Sequence, residues 1–261
     1  MTIDVIALPG GIMPAALRYG QLASALGNEV KLHFKDLEVY ARELPPAGYS
    51  VAMEVDAVTW FADSLGLDRF HLLGYSGGGL VSLAFAGAHP GRLLSLALFE
   101  PASVPGRLSA EEEELDGRLR AAVAGLDGAE FMRAFVGTQL RPGVAMPAPA
   151  GPPPPWMRSR PAGIAAMMVA FGEHRFDRAS LRECRFPVFL AYGDQTGEAE
   201  EIRAAVLGRL LPDVHIRRLS GVHHFAPPEQ IYGPEHVDEL RNLWARAGMD
   251  HDSETTKNRS K

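Results

Sequence analysis

The chain has 261 residues, of which 46% are hydrophobic and 22% are charged, a balance typical of globular rather than disordered proteins. Its net charge of −6 at pH 7 argues against a dedicated nucleic-acid-binding protein, which would carry a basic stripe. The single cysteine, Cys184, excludes an internal disulfide framework and cysteine-rich zinc sites.

Six short apolar runs are typical of buried strands. Most are continuous rather than alternating, as expected where helices cover both faces of a parallel sheet. In chain order they are IDVIAL (3–8), VKLHF (30–34), FHLL (70–73), LSLALF (94–99), PVFLAY (187–192) and HIRRL (215–219). Helical patterns lie between them, from Pro14 to about Gly27, Ser50 to Leu65, Ser76 to about His89, Glu198 to Leu211 and Pro234 to about Ala247. This alternation predicts an α/β fold with a mostly parallel sheet and right-handed crossovers.

The alternation breaks between Pro101 and Phe186, where only helical segments are predicted. One of them should begin at Ser109, because Glu112 completes a capping box. The stretch MPAPAGPPPPW (146–156) should be a stiff, extended connector, because its prolines fix φ and remove backbone donors.

We therefore predict a core formed by residues 1–101 and 187–249, a helical insertion over 102–186, and a polar, flexible tail over 250–261. A long disordered loop is the alternative for the insertion. Its apolar residues argue against that alternative because they supply surface to bury: Phe131, Phe135, Trp156, Ile164, Met167, Met168 and Phe171.

The segment Gly74-Tyr75-Ser76-Gly77-Gly78 fits the G-x-S-x-G nucleophile elbow, with a predicted strand before it and a helix after it. A strained turn there would project the Ser76 hydroxyl from the end of the strand. Gly74 and Gly78 would let backbone and helix pass closely, and the helix N-terminus would favour developing negative charge. The alternative is a glycine-rich turn that happens to contain a serine.

A serine nucleophile needs a base, and LSGVHHFAPPEQ (219–230) contains two candidates, His223 and His224. Adjacent residues in an extended segment face opposite ways, so only one should reach Ser76. A surface histidine pair or a metal site is the alternative. A metal is disfavoured because the sequence has no HExxH motif, cysteine partner or carboxylate cluster at ligand spacing.

Together the elbow, the insertion and the histidine segment make nearly the whole chain resemble the α/β-hydrolase fold family. Its G-x-G-H-F pattern aligns with residues 221–225, which implies that His224 is the base and that His223 replaces the usual glycine. The resemblance also implies an eight-stranded, mostly parallel sheet flanked by helices, with a helical lid. This chain begins at what resembles the third family strand, so the resemblance leads us to expect that the first two are missing.

The family usually places its acid after the seventh strand, in a G-x-x-D pattern. Here Thr196 occupies that position, in Gly193-Asp194-Gln195-Thr196. Glu100 is the preferred acid, because some relatives place theirs after the sixth strand and a charge ending an apolar strand is costly unless paired. Asp194, two residues early, is the alternative acid. Glu100 capping a loop or pairing with an arginine is the non-catalytic interpretation.

Two backbone amides should form an oxyanion hole. The first is Gly77, directly after the nucleophile. The second should lie in LPGGIMP (8–14), where we assign Gly11 with Ile12 as the neighbouring possibility, although the family's usual His-Gly is Pro9-Gly10 here. A plain strand–loop turn is the alternative for this loop.

The substrate should lie between the sheet and the insertion, against Tyr75, Trp156 and Met168. We expect a serine hydrolase that cleaves a carboxylic ester, lactone or thioester of modest size through an acyl-enzyme on Ser76. The alternatives are a non-catalytic hydrolase-like binding protein and a carbon–carbon bond hydrolase. No cofactor is expected, because GxxxxGK[ST] is absent and no GxGxxG opens a first βαβ unit.

The expected partner is a small-molecule substrate, with neither nucleic acid nor membrane, and a homodimer is the one assembly considered. No apolar stretch approaches the roughly 18 residues of a membrane span. The N-terminus, MTIDVIALPGG, has neither the basic region nor the long apolar core of a signal peptide. We therefore expect a cytoplasmic protein.

Overall fold

A six-stranded parallel sheet lies at the centre of the computed structural model, which describes residues 2–146 and 151–259 and side chains as far as residue 248. Its strands are β1 Ile3–Leu8, β2 Val30–Phe34, β3 Phe70–Tyr75, β4 Leu93–Phe99, β5 Val188–Gly193 and β6 Val214–Leu219. The spatial order is β2-β1-β3-β4-β5-β6, and all neighbours are parallel. The prediction of a parallel α/β sheet is confirmed, and each predicted run coincides with a strand to within two residues at either end.

Helices cover both faces of this sheet. Their bounds are α1 Ala15–Leu26, α2 Val51–Ser64, α3 Gly77–Ala88, α4 Ala110–Val123, α5 Gly128–Gly137, α6 Arg160–Glu173, α7 Ala199–Leu210, α8 Pro228–Ile231 and α9 Pro234–Arg259. Successive strand residues point to opposite faces. Val5 and Ala7 therefore pack with α1, α8 and α9, whereas Ile6 and Leu8 pack with α2 and α3. Burial on both faces explains why the central strands β3, β4 and β5 are mostly apolar, whereas β6, which is exposed along most of its length, carries Arg217 and Arg218.

Helices α4 to α6 lie between β4 and β5, in the stretch predicted to be an insertion. The capping box that begins α4 is confirmed: the Glu112 N–H donates to Ser109 Oγ at 3.3 Å, and the Ser109 N–H donates to Glu112 Oε2 at 2.9 Å. Helix α4 packs on α7, and α6 packs on a 3-10 helix at Glu38–Tyr40. The division into core and lid remains a prediction.

The proline-rich connector differs from its expectation at one end. Residues 147–150 lie outside the described residues, but Pro155 and Trp156 begin a 3-10 helix, Pro155–Ser159, rather than continuing an extended chain. Proline is compatible with a first helical turn because its fixed φ suits that position and its missing N–H is not needed there.

The C-terminal helix α9 continues past its predicted end near Ala247 to Arg259, because no proline interrupts it after Pro234. The flexible tail predicted for residues 250–261 is therefore helical in backbone as far as Arg259, and residues 260–261 lie outside the described part. Its flexibility remains a prediction. None of the described helices combines the length and apolar character that crossing a bilayer requires.

The strand order positions the candidate site. From β1 the chain moves outward to β2 and then returns to the other side of β1 to form β3. The loops after β1 and β3 therefore diverge at the carboxyl edge of the sheet, where open α/β sheets bind ligands. The first loop begins at Pro9 and the second contains Ser76.

Candidate active site

Ser76 forms a sharp bend between β3 and α3, with φ of 53° and ψ of −117°. A non-glycine residue rarely adopts a positive φ, so the surrounding contacts must hold this strain. The Ser76 N–H donates to the Phe99 carbonyl at 3.1 Å. A Cβ on Gly78 would lie 2.6 Å from the Leu8 carbonyl oxygen, and one on Gly74 would lie 2.7 Å from the Gly78 carbonyl oxygen. Glycine at both positions therefore permits the bend.

His224 bridges Ser76 and Glu100. Its Nε2 lies 3.0 Å from Ser76 Oγ, and its Nδ1 lies 2.6 Å from Glu100 Oε2. The side chain of His224 is 2% exposed and that of Glu100 is fully buried. A carboxylate can only accept, so Nδ1–H donates to Glu100 and Nε2 is left to accept the serine proton. The three side chains thus form a continuous hydrogen-bonded chain.

The buried Glu100 carboxylate receives two further hydrogen bonds. The Gly193 N–H and the Thr196 hydroxyl each donate to its Oε1 at 2.6 Å. Glu100 itself has a φ of 44°, so the residue after β4 also turns sharply. A buried charge is tolerated only when its lone pairs are satisfied, and these donors with His224 satisfy both oxygens.

The alternative acid, Asp194, has a different role in the structure. Its carboxylate accepts the N–H of Gly221 at 2.8 Å, at a turn where Gly221 has a φ of 72°. It therefore supports the start of the histidine segment rather than the His224 ring. Of the two carboxylates considered from the sequence, the structure brings Glu100 to the imidazole.

The second histidine, His223, turns its ring toward its own backbone, where Nδ1 accepts the Phe225 N–H at 3.2 Å. Burial lowers the pKa of His223. The Tyr75 ring stacks on the His224 ring, with 5.1 Å between the two ring centres, and the Tyr75 hydroxyl donates to the His224 carbonyl. Tyr75 thus packs against the histidine segment as well as lining the cavity described next.

A cavity of about 1600 Å³ opens over Ser76 and His224. Gly11 and Gly77, the two predicted oxyanion donors, both line it. Gly77 is the first residue of α3, so its N–H has no intrahelical acceptor. Gly10 holds the neighbouring loop close, because a Cβ on it would lie 2.9 Å from Ser76 Cβ.

Helix α6 and its flanking segments supply much of the apolar lining, which includes Met146, Met157, Ile164, Met167, Met168 and Phe171. Met168 lies in this lining, and its contact with a substrate remains a prediction. Trp156 is absent from the lining that the described residues form. It lies in the 3-10 helix before α6, with its ring centre 5.3 Å from the Arg160 guanidinium carbon.

Sequence reasoning assigned no role to three side chains around the site: Thr196, which it noted only in place of the expected acid, Tyr40 and Glu200. Glu200 lines the cavity from the first turn of α7, is 4% exposed and forms an ion pair with Arg203. Burial raises the pKa of Glu200 to about 7, and the Arg203 guanidinium opposes the rise. A carboxylate in the first turn of a surface helix is ordinary in sequence, so only its position beyond β5 could have drawn attention to it.

Among the described residues, no group of three or more His, Cys, Asp or Glu side chains could hold a metal ion. The site as described therefore consists of a serine, an imidazole and a carboxylate in series, beside two backbone amides. This set of groups can activate a hydroxyl and stabilise negative charge on a substrate oxygen.

Comparison with known proteins places the chain among hydrolases. A family model for the alpha/beta hydrolase fold matches residues 40–229. N-formylmaleamate deformylase of Pseudomonas putida is 28% identical over 233 residues, which cover 85% of this chain and 82% of that protein. A carboxylesterase structure from Nitrososphaera gargenis has a TM-score of 0.68 at 17% identity, covering 95% of this chain and 92% of its own. Proline iminopeptidase of Mycobacterium smegmatis has a TM-score of 0.63 at 20% identity, covering 95% and 91%.

Proposed function

The chain belongs to the alpha/beta hydrolase fold family and is an enzyme of the hydrolase class, and from this premise we propose that it cleaves ester-like small molecules through an acyl-enzyme on Ser76. One observation carries the proposal: His224 contacts Ser76 Oγ through Nε2 and Glu100 through Nδ1. This is the relationship that nucleophile, base and orienting acid have in serine hydrolases.

In the proposed mechanism His224 Nε2 takes the Ser76 proton while Oγ attacks the substrate carbonyl carbon. The oxygen that becomes negative is stabilised by the amides of Gly11 and Gly77. His224 then gives the proton to the leaving group, and the acyl group stays on Ser76. Water then attacks the acyl carbon as His224 takes its proton, the bond to Ser76 Oγ breaks to release the acid, and His224 returns the proton to Oγ. Glu100 keeps the imidazole oriented and stabilises its positive charge without becoming protonated.

The cavity supports a substrate with an apolar acyl or aromatic portion, because methionines and Phe171 line the insertion side. Carboxylic esters, thioesters and lactones all present the carbonyl that the proposed mechanism attacks. The similarity to a relative named a deformylase supports a second candidate, hydrolysis of a formyl amide by the same serine. The two candidates differ in the leaving group that His224 must protonate.

A panel of p-nitrophenyl esters of increasing acyl length, with thioesters, lactones and N-formyl amides beside them, tests this proposal. The purified protein should hydrolyse at least one class, with a pre-steady-state burst of p-nitrophenol stoichiometric with enzyme for a good ester. The Ser76→Ala variant should show no burst, and a cooperative thermal melting curve should verify that it is folded. Turnover that survives unchanged in Ser76→Ala would contradict the acyl-enzyme, and a folded wild type inert toward every class would favour a non-catalytic binding protein.

A further inference from the structure

Two carbonyl groups in the loop that carries Gly11 accept hydrogen bonds, and they belong to the peptide units before and after the Gly10–Gly11 peptide. The Pro9 carbonyl accepts the Gly78 N–H from α3 at 3.0 Å. The Gly11 carbonyl accepts the Tyr40 hydroxyl at 2.5 Å. Between these two anchors lies the Gly10–Gly11 peptide, and this peptide carries the N–H that the proposed oxyanion hole uses.

Two consecutive glycines make this anchoring important. Glycine visits more backbone conformations than any other residue, so an unanchored Gly10-Gly11 pair could turn its amide away from the site. Each peptide unit is planar, so fixing one carbonyl fixes the direction of that whole unit. With the units on both sides held, the Gly11 N–H is restricted to a narrow range of directions. The anchor from α3 is part of the nucleophile elbow, whereas the anchor from Tyr40 is independent of it.

Helix α6 of the insertion holds Tyr40 in place. The Arg160 guanidinium carbon lies 3.7 Å from the centre of the Tyr40 ring, at a distance typical of a cation–π contact. Gly163, one turn later, lets the ring approach, because a Cβ there would lie 2.7 Å from Tyr40 Cζ. Arg160 is 4% exposed, and within the described residues its Nε and Nη1 lack a hydrogen-bond partner. The Tyr40 ring is therefore one of the main groups that this buried guanidinium contacts.

The same face of α6 also reaches the loop directly. A Cβ on Gly11 would lie 2.7 Å from Met167 Cε and 3.2 Å from Ile164 Cγ1. Arg160, Gly163, Ile164 and Met167 follow the spacing of one helical face. One stripe of the insertion therefore covers both the predicted oxyanion amide and the tyrosine that anchors it.

We propose that Tyr40 is a positioning residue for the Gly11 amide, and that Arg160 keeps Tyr40 in that role. This inference rests on the proposed function, because it concerns the amide that would stabilise the oxyanion. It adds a physical dependence of the catalytic step on the insertion: a displacement of α6 that releases Tyr40 also releases the Gly11 carbonyl. Such a displacement lowers the rate of the chemical step more than it weakens ground-state binding.

The test removes one oxygen. Tyr40→Phe keeps the ring against Arg160 and deletes the hydroxyl that binds the Gly11 carbonyl. With p-nitrophenyl butyrate as substrate, kcat should fall by about tenfold or more, part of the roughly 10²–10³ that an entire oxyanion donor supplies. KM should stay within about twofold, because the lost interaction acts in the transition state.

Phenylboronic acid separates this role from a merely structural one. It forms a tetrahedral adduct on a reactive serine with an oxygen directed toward the oxyanion hole, so its affinity should fall by the same factor as kcat/KM. Thr59→Val is the control for the loss of a hydroxyl elsewhere. The Thr59 hydroxyl donates to the Val55 carbonyl at 3.3 Å within α2, so its removal should leave kcat and boronate affinity unchanged.

An unchanged kcat in folded Tyr40→Phe overturns the inference, and so does a lower kcat with unchanged boronate affinity. If Tyr40→Phe does not fold, Arg160→Met decides: it should lower kcat and boronate affinity together by a smaller factor, and equality with wild type overturns the inference. A wild type that neither turns over the ester nor binds the boronate is a failure of the proposed function itself. That result is distinct, because it appears before any variant is compared.

Discussion

The Thr196 hydroxyl donates a hydrogen bond of 2.6 Å to Glu100 Oε1. Thr196 lies in the loop after β5, and Glu100 directly follows the neighbouring strand β4. Because β4 and β5 are adjacent and parallel, their carboxyl ends lie side by side, and an acid on either strand can reach the same imidazole. The chain thus has its carboxylate on β4 and a hydroxyl donor on β5.

Replacing Glu100 by glutamine should reduce kcat/KM by about four orders of magnitude, as loss of the orienting charge does in other serine hydrolases. The amide cannot stabilise the imidazolium and favours the wrong histidine tautomer. Asp194→Asn is the matched control, and we expect a far smaller loss because Asp194 supports the Gly221 turn. Steady-state kinetics on both variants, with circular dichroism to confirm folding, checks the prediction. The opposite ranking would identify Asp194 as the acid.

Removing the Thr196 hydroxyl should cost stability more than activity. In Thr196→Val the Glu100 carboxylate loses one charge-assisted hydrogen bond, so the free energy of unfolding should fall by about 1.5–3 kcal/mol. Activity should fall less than in Glu100→Gln, because Gly193 and His224 still hold the carboxylate. Thr196→Ser retains the hydroxyl and should stay close to wild type in denaturant titrations. Equal losses of unfolding free energy in Thr196→Val and Thr196→Ser would show that the hydroxyl does not stabilise the fold through Glu100.

Two glycine-to-alanine changes should shift stability in opposite directions. Gly78→Ala forces a Cβ against the carbonyl oxygens of Leu8 and Pro9, at the carboxyl end of β1. The change should destabilise the fold by about 1–3 kcal/mol and lower activity. Gly20 lies within α1, and apart from its chain neighbours and the nearby backbone of α1 no described atom lies within 4 Å of the Cβ that alanine would add. Gly20→Ala should therefore stabilise by about 0.5–1 kcal/mol. Urea unfolding of both variants tests the pair.

Buried His236 should make the protein less stable in acid. Burial lowers its pKa to about 4 from 6.5, and its Nδ1–H donates to the Ile231 carbonyl at 2.9 Å among the rings of Phe99, Phe189 and Tyr232. Below pH 6.5 the unfolded chain takes up a proton that the folded chain refuses, so stability falls as the pH is lowered toward 4. Integrated over that range, the contribution is about 3 kcal/mol.

His236→Gln removes this titration while keeping a side-chain donor for the Ile231 carbonyl. Denaturant unfolding at pH 7.5 and pH 5 should therefore show a smaller acid loss in the variant than in wild type. His71, whose pKa burial also lowers to about 4, contributes equally to both proteins and cancels in the comparison. Identical pH dependence in the two proteins would rule out His236 as a source of the acid loss.

The strands could be predicted because burial on both faces leaves a plain record in sequence. Runs such as 3–8 and 94–99 are apolar at all but one position, Asp4 and Ser95 respectively, since most of their side chains face a covered side of the sheet. The end of β3 was less clear: Gly74 and Tyr75 resemble the start of a turn, yet they remain paired with Leu8 and Phe99. Local composition does not reveal how far pairing with a neighbouring strand extends a strand beyond its apolar run.

The site shows the same division between local and tertiary information. Ser76 lies in a motif with its own backbone geometry, Glu100 directly follows β4, and His224 lies in the loop after β6. The sequence could therefore nominate all three, and their catalytic roles remain predictions. Nothing local predicts that Tyr40 would contact Gly11. Trp156 was expected in the substrate cavity, but an apolar residue in an insertion can face several surfaces, and it lies beside Arg160 instead.

Covalent labelling of the serine tests the central claim most directly. The folded wild-type protein is incubated with a fluorophosphonate, and intact-mass and peptide mass spectrometry then locate the adduct. We predict a single phosphonyl group on Ser76 and none on Ser76→Ala, because only a hydroxyl activated by His224 attacks phosphorus at a useful rate. No adduct on folded wild type, or the same adduct on Ser76→Ala, would contradict the account.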